Sequence, residues 1–128
     1  DHDFLLRIGT EAGIVIVRSP LILGWRWHQQ SVTHDLARSV AGCATLLAAE
    51  TNGEYPGGPE CAPQRRGIVT MHARSVSIEC AKAGRASDAS RIYVATLGWH
   101  LLQRRWKYLV AFPFVIGAAL LRRRQARA

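Results

Sequence analysis

The sequence predicts a small α+β protein in which an amphipathic helix leads into a short, apolar, membrane-associated helix near the C-terminal end. Short runs of β-branched residues predict strands, and a longer segment with helical spacing of apolar residues predicts a helix. Residues 108–121 read YLVAFPFVIGAALL and contain no charged side chain, while arginines stand on either side of them. Such a block is typical of a segment in contact with a bilayer, because Arg and Lys side chains reach the headgroups.

The charge balance predicts an anionic partner. The chain has 128 residues, with 17 Lys and Arg against 9 Asp and Glu, and its formal net charge is +8. Only Lys82 and Lys107 are lysines, and arginine is suited to bidentate contacts with phosphate or carboxylate. A GC-rich coding sequence explains the arginines equally well. The length is that of one domain, and we expect lipid headgroups, nucleic acid or an acidic protein surface as partner.

The cysteines do not define a redox compartment. Cys43, Cys61 and Cys80 are odd in number and widely spaced, which is not a disulfide framework. A single bridge between Cys61 and Cys80 remains open. No CxxC pair occurs, so neither a zinc site nor a thioredoxin-type site is predicted. The chain begins at Asp1 and its only methionine is Met71, so we do not expect residue 1 to be an ordinary translation start.

The N-terminal part combines a short strand with the best-defined helix. Residues 13–17 are rich in β-branched side chains and predict a strand, which Pro20 ends. Residues 33–50 predict a helix, because Thr33 is a suitable N-cap and Asp35 favours the positive end of the helix dipole. Apolar residues along this helix form a face for packing against a partner helix: Leu36, Val40, Ala44 and Leu47.

A Gly/Pro-rich stretch is the clearest candidate linker of the chain. The predicted segments are an N-terminal strand and helix, a linker and a C-terminal segment, at residues 1–51, 52–66 and 67–128. We expect them to form one structural unit. Residues 67–71 and 76–80 predict two strands, the second with alternating apolar side chains. Residues 81–89 are small and polar and predict a loop.

From Ser90 onwards the sequence predicts an amphipathic helix with two tryptophans. An apolar stripe consists of Ile92, Ala95, Trp99, Leu102 and Trp106. A polar stripe beside it consists of Thr96, His100, Gln103 and Lys107. This pattern is typical of a helix at a membrane interface or on a protein partner. A surface helix on a soluble core fits the pattern as well.

The apolar block of residues 108–121 is short for a membrane span. As a helix it reaches about 21 Å, against roughly 30 Å of hydrocarbon. By length it also fits a buried core helix or a re-entrant segment. Pro113 disfavours a helix interior, and a second interpretation has a strand at residues 107–112 with Pro113 opening a short helix. The predicted membrane or interface residues are Trp99, Trp106, Tyr108, Phe112, Phe114, Arg104, Arg105, Arg122, Arg123 and Arg124.

The sequence contains no recognisable catalytic constellation, so we lean towards a protein that is not an enzyme. GxSxG, Walker A, GxGxxG and HExxH patterns are absent. No metal site and no cofactor are predicted. His100 is a weak candidate for a haem or pigment ligand, but its polar neighbours favour an ordinary polar-face histidine. A small enzyme whose active site leaves no local signature is a third hypothesis.

The predicted function is that of a non-catalytic accessory or stabilising subunit of a larger membrane protein complex, anchored by residues 108–121. Its expected partners are other subunits and anionic lipid headgroups, and its expected location is at a membrane. The alternative is a basic, RNA-associated component of a ribonucleoprotein, with the apolar block as its soluble core. The arginine clusters available for RNA phosphates are Arg65–Arg66, Arg104–Arg105 and Arg122–Arg124.

Overall fold

Helices form the whole architecture of the part of the chain that the structure describes. The computed structural model describes residues 2–9 and 35–125, with side chains as far as residue 122. These residues contain five α-helices and one short 3-10 helix, and no strand. The elements are α1 (His2–Ile8), α2 (Leu36–Thr51), the 3-10 helix (Pro59–Cys61), α3 (Ala62–Lys82), α4 (Ala86–Leu102) and α5 (Trp106–Gln125).

The predicted α+β class is therefore wrong, and the main error lies in α3. Residues 67–71 and 76–80, predicted as two strands, are both part of this one helix. Strand preference reflects packing context more than an intrinsic backbone preference, so short β-branched runs tolerate a helix. The buried residues of α3 recur at helical spacing and include Val69, Ala73, Val76 and Cys80. Packing of this face outweighs the local propensity of the two runs.

A tight turn joins α3 to α4 where the sequence predicts a loop at residues 81–89. α3 continues to Lys82, and α4 begins at Ala86 rather than at Ser90. Gly84 has a φ angle of 73°, a left-handed conformation that glycine adopts without steric cost. The amide of Arg85 donates to the carbonyl oxygen of Cys80 over 2.8 Å and closes the turn.

The helix predicted over residues 33–50 is observed as α2, with Asp35 as its N-cap. The carboxylate of Asp35 accepts hydrogen bonds from the amides of Ala37 and Arg38 over 3.0 and 3.1 Å. These bonds satisfy two amides that have no partner within the helix. Thr33 and the predicted strand at residues 13–17 lie outside the described residues.

The buried face of α2 only partly coincides with the predicted packing face. Three predicted residues contact the larger core: Leu36, Val40 and Leu47. Ala44 is exposed, whereas Leu46 and Ala49 are buried in a smaller core. The face of α2 that packs is therefore rotated towards Leu46 and Ala49.

α3 is the central helix of the bundle and packs against α1, α2, α4 and α5. The larger core lies between α2, α3, α4 and α5, and its buried members are Val40, Cys43, Ala73, Val76, Cys80, Ala81, Ala89, Ile92, Tyr108 and Phe112. The smaller core joins α1, α2, α3 and the connection after α2 through Leu6, Leu46, Ala49, Tyr55 and Val69. All three cysteines carry free thiols. Burial of these apolar side chains is the main favourable term in folding.

The Gly/Pro-rich connection after α2 is fastened to the bundle by a buried tyrosine. Residues 52–61 join α2 to α3, and residues 62–66 form the first part of α3. Tyr55 is buried, and its hydroxyl donates to Oδ1 of Asp3 over 2.9 Å. This bond ties α1 to the connection. The division of the chain at this stretch into two segments stays a prediction.

α5 is one continuous helix although it contains Pro113. The interpretation with a strand at residues 107–112 is therefore wrong. Proline has no amide hydrogen, so Pro113 cannot bond the carbonyl oxygen of Leu109 within the helix. Tyr93 of α4 donates its hydroxyl hydrogen to that oxygen over 2.8 Å. The neighbouring helix thus supplies the hydrogen bond that proline withholds.

None of the helices in the described residues is long and apolar enough to cross a membrane. This finding corrects the prediction only so far as the C-terminal helix was expected to cross a membrane. The uncharged part of α5 is shorter than a hydrocarbon core requires. In addition, Tyr108, Leu109 and Phe112 are buried against the other helices. The inner side of α5 is therefore part of the core of the bundle.

Candidate functional site

One face of α5 is both apolar and exposed. Trp106, Val110, Phe114 and Leu121 lie at helical spacing, and 57%, 64%, 73% and 61% of their surfaces are exposed. We call these four residues the outer stripe. Leu102, at the end of α4, is 75% exposed. Several large apolar side chains exposed along one helix face are typical of an interaction site.

The inner face of α5 packs against α3 and α4 and fixes the position of the helix that carries the outer stripe. Tyr108 and Ser77 of α3 share a buried hydrogen bond, with 2.8 Å between their hydroxyl oxygens. The rings of Tyr108 and Phe112 lie 4.9 Å apart between centroids, and both contact the ring of Tyr93, at 5.6 and 5.3 Å. Aromatic groups at these separations stabilise one another beyond simple burial. The exposed stripe is therefore on a helix whose other side is fixed.

Cationic side chains stand near both ends of the outer stripe. Arg104 and Lys107 are exposed at the N-terminal end of α5, and Arg122 is exposed near its C-terminal end. The predicted interface residue Arg105 points elsewhere, because its Nη2 donates to the carbonyl oxygen of Gly67 over 3.1 Å. The side chains of Arg123 and Arg124 lie outside the described residues.

A groove borders the C-terminal half of α5. It has a volume of about 720 Å³ and lies between this helix and the turn from α3 to α4. Val115, Ala118 and Ala119 line its apolar side. Lys82, Arg85 and Arg122 supply the cations that line it. Lys82 and Arg85 are paired with Glu79 and Asp88, so the groove combines apolar surface with positive charge that the fold partly balances.

The remaining predicted interface residues divide between surface and core. Tyr108 and Phe112 are buried, whereas Trp106 and Phe114 belong to the outer stripe. Trp99 is half-buried beside the smaller core. The guanidinium carbon of Arg66 lies 5.3 Å from the centroid of the Trp99 ring, within the range of a cation–π contact. The aromatic residues predicted as one surface therefore lie on two opposite faces of α5, and Trp99 lies apart from both.

A buried ion pair that the sequence analysis missed holds α2 and α3 together. Glu50 is 3% exposed, and its Oε2 accepts from Nε of Arg65 over 2.7 Å. Its Oε1 accepts from Nε of Arg66 over 3.1 Å. Arg65 also donates from Nη1 to the carbonyl oxygen of Pro56 over 2.8 Å. The sequence shows a glutamate near the end of one helix and two arginines after the connection. Nothing in the local sequence shows that these three side chains meet.

The predicted polar stripe of α4 faces the interior. Thr96 and His100 have no exposed surface. Gln103, just after α4, accepts a hydrogen bond at its Oε1 from Oγ1 of Thr70 in α3 over 2.9 Å. Only Lys107 of this stripe is exposed. The polar side of this pattern is therefore mostly buried, whereas Ala95, Leu102 and Trp106 of the predicted apolar stripe are exposed.

His100 lies at the centre of this polar interior. Its ring centroid is 4.5 Å from that of Tyr108, and neither ring nitrogen has a hydrogen-bond partner. Burial lowers the pKa of His100 to about 4, and the positive charges of Arg105 and Arg74 act in the same direction. The imidazole is therefore neutral at pH 7. The ring of His100 has no exposed surface in the bundle.

A polar row on α3 completes the interior site. Thr70, Arg74 and Ser77 are spaced as one face of a helix, and they lie opposite Gln103, the His100 region and Tyr108. This spacing was visible in the sequence, but only a helical assignment for α3 gives it meaning. Within the described residues no group of three or more His, Cys, Asp or Glu side chains is arranged to hold a metal ion.

Comparison with protein-family models, with curated proteins and with solved structures finds no significant match.

Proposed function

We propose that this chain is a non-catalytic accessory subunit that docks on a protein partner through the outer stripe of α5. The observation that carries the proposal is the exposure of Trp106, Val110 and Phe114 on a helix whose opposite side is fixed in the core. Anchors at i, i+4 and i+8 on one face are typical of a helix that binds in an apolar groove. Aromatic anchors of this kind often contribute a large share of the binding free energy at protein interfaces.

The charges near the stripe indicate the chemistry of the partner. Arg104 and Lys107 are exposed at one end of α5, and Arg122 is exposed near the other. Antiparallel pairing of α5 with the same helix of a second copy brings these cations together and is disfavoured. A partner groove with apolar walls and carboxylates at its rim is complementary in both respects. The net charge of +8 favours the same kind of partner.

The RNA alternative draws less support from the arginine contacts. Arg65 and Arg66 are paired with Glu50, and Arg105 donates to a backbone carbonyl. Three of the guanidinium groups expected to meet phosphates therefore have partners within the fold. Phosphate contacts of a nucleic-acid-binding protein need free cations along one surface.

The size of the native assembly tests the proposal. In extracts of cells that produce the chain naturally, the wild-type protein is expected to elute in a complex larger than the chain alone. A Val110→Asp/Phe114→Asp variant is expected to elute alone, because two carboxylates in an apolar groove lose their solvation. The matched control is Gln64→Asp/Ser87→Asp, which adds the same charge at two exposed positions.

Two measurements on the purified chain separate the competing occupants. Light scattering is expected to show a monomer, and flotation with anionic vesicles at high salt is expected to leave the protein unbound. A dimer that the Val110→Asp/Phe114→Asp variant abolishes assigns the stripe to a second copy. Salt-resistant flotation assigns it to a lipid surface. Either result contradicts docking on a different protein.

A further inference from the structure

Three polar atoms in the interior of the bundle have no hydrogen-bond partner. They are Nδ1 and Nε2 of His100 and Nη1 of Arg105. Buried polar groups in folded proteins are nearly always hydrogen-bonded to protein, water or a ligand. His100 has no exposed surface, so bulk solvent does not satisfy its nitrogens. A neutral imidazole has one nitrogen that donates and one that accepts, so the donors left without a partner are one N–H of His100 and the N–H groups of Nη1 of Arg105. Two such donors close together in the chain indicate a site for a group with several acceptor positions.

The turn after α4 holds His100 and Arg105 in fixed positions. The amide of Arg105 donates to the carbonyl oxygen of His100 over 3.0 Å, which closes the turn. Nη2 of Arg105 donates to the carbonyl oxygen of Gly67 over 3.1 Å, which holds the guanidinium against α3. Nη1 of the same guanidinium is thereby held in place with its hydrogens unused. The donor is preorganised, and ordering it on binding costs little.

A second cation faces the same region from α3. Arg74 is half-buried, and no hydrogen bond or ion pair joins its guanidinium to the described residues. Burial lowers the pKa of both His100 and Arg105, and the positive charge of Arg74 acts in the same direction on each. No carboxylate of the described residues opposes this effect on either group. Two guanidinium groups and an imidazole therefore share a partly desolvated region without a counter-charge.

We propose that Arg74, His100 and Arg105 form a binding site for a small oxyanion between α3, α4 and the turn that leads to α5. An oxyanion accepts hydrogen bonds from Nη1 of Arg105 and from the imidazole, and it faces the charge of Arg74. Water satisfies the hydrogen bonds but leaves the positive charge unbalanced. The nearby hydroxyls of Thr70, Ser77 and Tyr108 already have partners and form the walls of the site. The proposal does not depend on docking through α5.

Thermal unfolding with inorganic phosphate tests the site, with chloride at the same ionic strength as reference. At about 100 times its Kd, phosphate is expected to raise the Tm of the wild-type protein by roughly 5–10 °C, and the rise grows with the logarithm of the phosphate concentration. Arg74→Gln is expected to abolish this rise. Arg91→Gln removes the same charge from an exposed position of α4 and is expected to keep it. A parallel series with acetate distinguishes a phosphate site from a carboxylate site.

A spectroscopic readout keeps the test decisive if Arg74→Gln does not fold. In the wild-type protein labelled at histidine, phosphate or acetate is expected to shift the imidazole signals of His100 and to raise its pKa. The loss of one signal in His100→Gln identifies the resonance. The proposal is overturned if neither anion raises the Tm and neither shifts the imidazole signals of His100 along a saturable titration curve. It is also overturned if Arg74→Gln and Arg91→Gln reduce the Tm rise equally, because general charge screening then explains the effect.

Discussion

Tyr93 donates its hydroxyl hydrogen to the carbonyl oxygen of Leu109 over 2.8 Å, and that carbonyl is the one that Pro113 leaves without a helical partner. A side chain of α4 therefore repairs the defect in α5. The same ring contacts Tyr108 and Phe112. Tyr93 thus contributes both a hydrogen bond and packing at the contact between the two helices.

We expect the hydroxyl of Tyr93 and the proline at position 113 to be energetically coupled. In the wild-type background, Tyr93→Phe is expected to lower the free energy of unfolding by about 1–2 kcal/mol, because a buried carbonyl loses its donor. In a Pro113→Ala background the same change is expected to have little effect, because the new alanine supplies an amide to the carbonyl oxygen of Leu109. Urea unfolding of the four proteins measures the coupling. Equal effects of Tyr93→Phe in both backgrounds contradict this account.

The buried glutamate is expected to be a major determinant of stability. Glu50→Gln leaves Arg65 and Arg66 without their carboxylate, and breaking a buried pair in this way costs about 3 kcal/mol. Glu60→Gln, at an exposed position, serves as control and is expected to change the free energy of unfolding by less than about 0.5 kcal/mol. Similar effects of the two substitutions in urea unfolding are incompatible with a buried ion pair.

A pair of phenylalanines tests which side of α5 faces the core. Phe112 is 2% exposed and Phe114 is 73% exposed. Phe112→Ala is expected to lower the free energy of unfolding of the isolated chain by about 3–5 kcal/mol, because it opens a cavity. Phe114→Ala is expected to change it by less than about 0.5 kcal/mol. A larger loss from Phe114→Ala indicates that the outer stripe is in fact packed.

His100 is expected to make stability depend on pH between about 6.5 and 4. Its pKa is about 4 in the folded chain, against an ordinary value of 6.5, so the unfolded chain binds more protons in this range. The contribution is complete above pH 6.5 and is lost as the pH falls towards 4. The difference corresponds to about 3 kcal/mol.

Unfolding of the wild-type protein and of His100→Gln, in buffers without phosphate or carboxylate, measures this contribution. The free-energy difference between the two proteins is expected to change over the stated range, because the variant lacks the titrating imidazole. Burial also lowers the pKa of His72, but this histidine is present in both proteins and cancels in the comparison. Parallel pH profiles rule out a neutral, buried His100.

The sequence predicted the extent of α2 well, although it placed the N-cap at Thr33 rather than at Asp35. Asp35 caps the helix with its own carboxylate, and Asn52 and Gly53 end it. α3 was mistaken for two strands because its β-branched residues come in short runs, while its packing face repeats over residues 69–80. The longer repeat stabilises a helix only because α3 packs against four other helices, and these contacts are not visible in the local sequence. Tertiary packing of the helix therefore outweighs the strand propensity of the β-branched runs.

The candidate site was predictable in composition but not in orientation. The sequence shows that α5 is apolar and bordered by arginines, and the structure adds which side is covered. Tyr108 faces inward and shares a hydrogen bond with Ser77, and Phe112 faces inward and packs against the ring of Tyr93. Both partners are distant in sequence. The polar interior around His100 was predicted as a solvent-facing stripe for the same reason. A helical pattern gives relative directions, whereas the absolute direction depends on neighbours.

Photo-crosslinking from the outer stripe tests the central claim most directly. A benzophenone amino acid replaces Phe114 in cells that produce the chain naturally, and a second strain carries it at the exposed Ser87 of α4. We predict that one protein, different from this chain, is crosslinked from position 114 and not from position 87, and that adding Val110→Asp abolishes the product. The same products from both positions, or products containing only lipid or a second copy of the chain, contradict the proposal that the stripe docks on a protein partner.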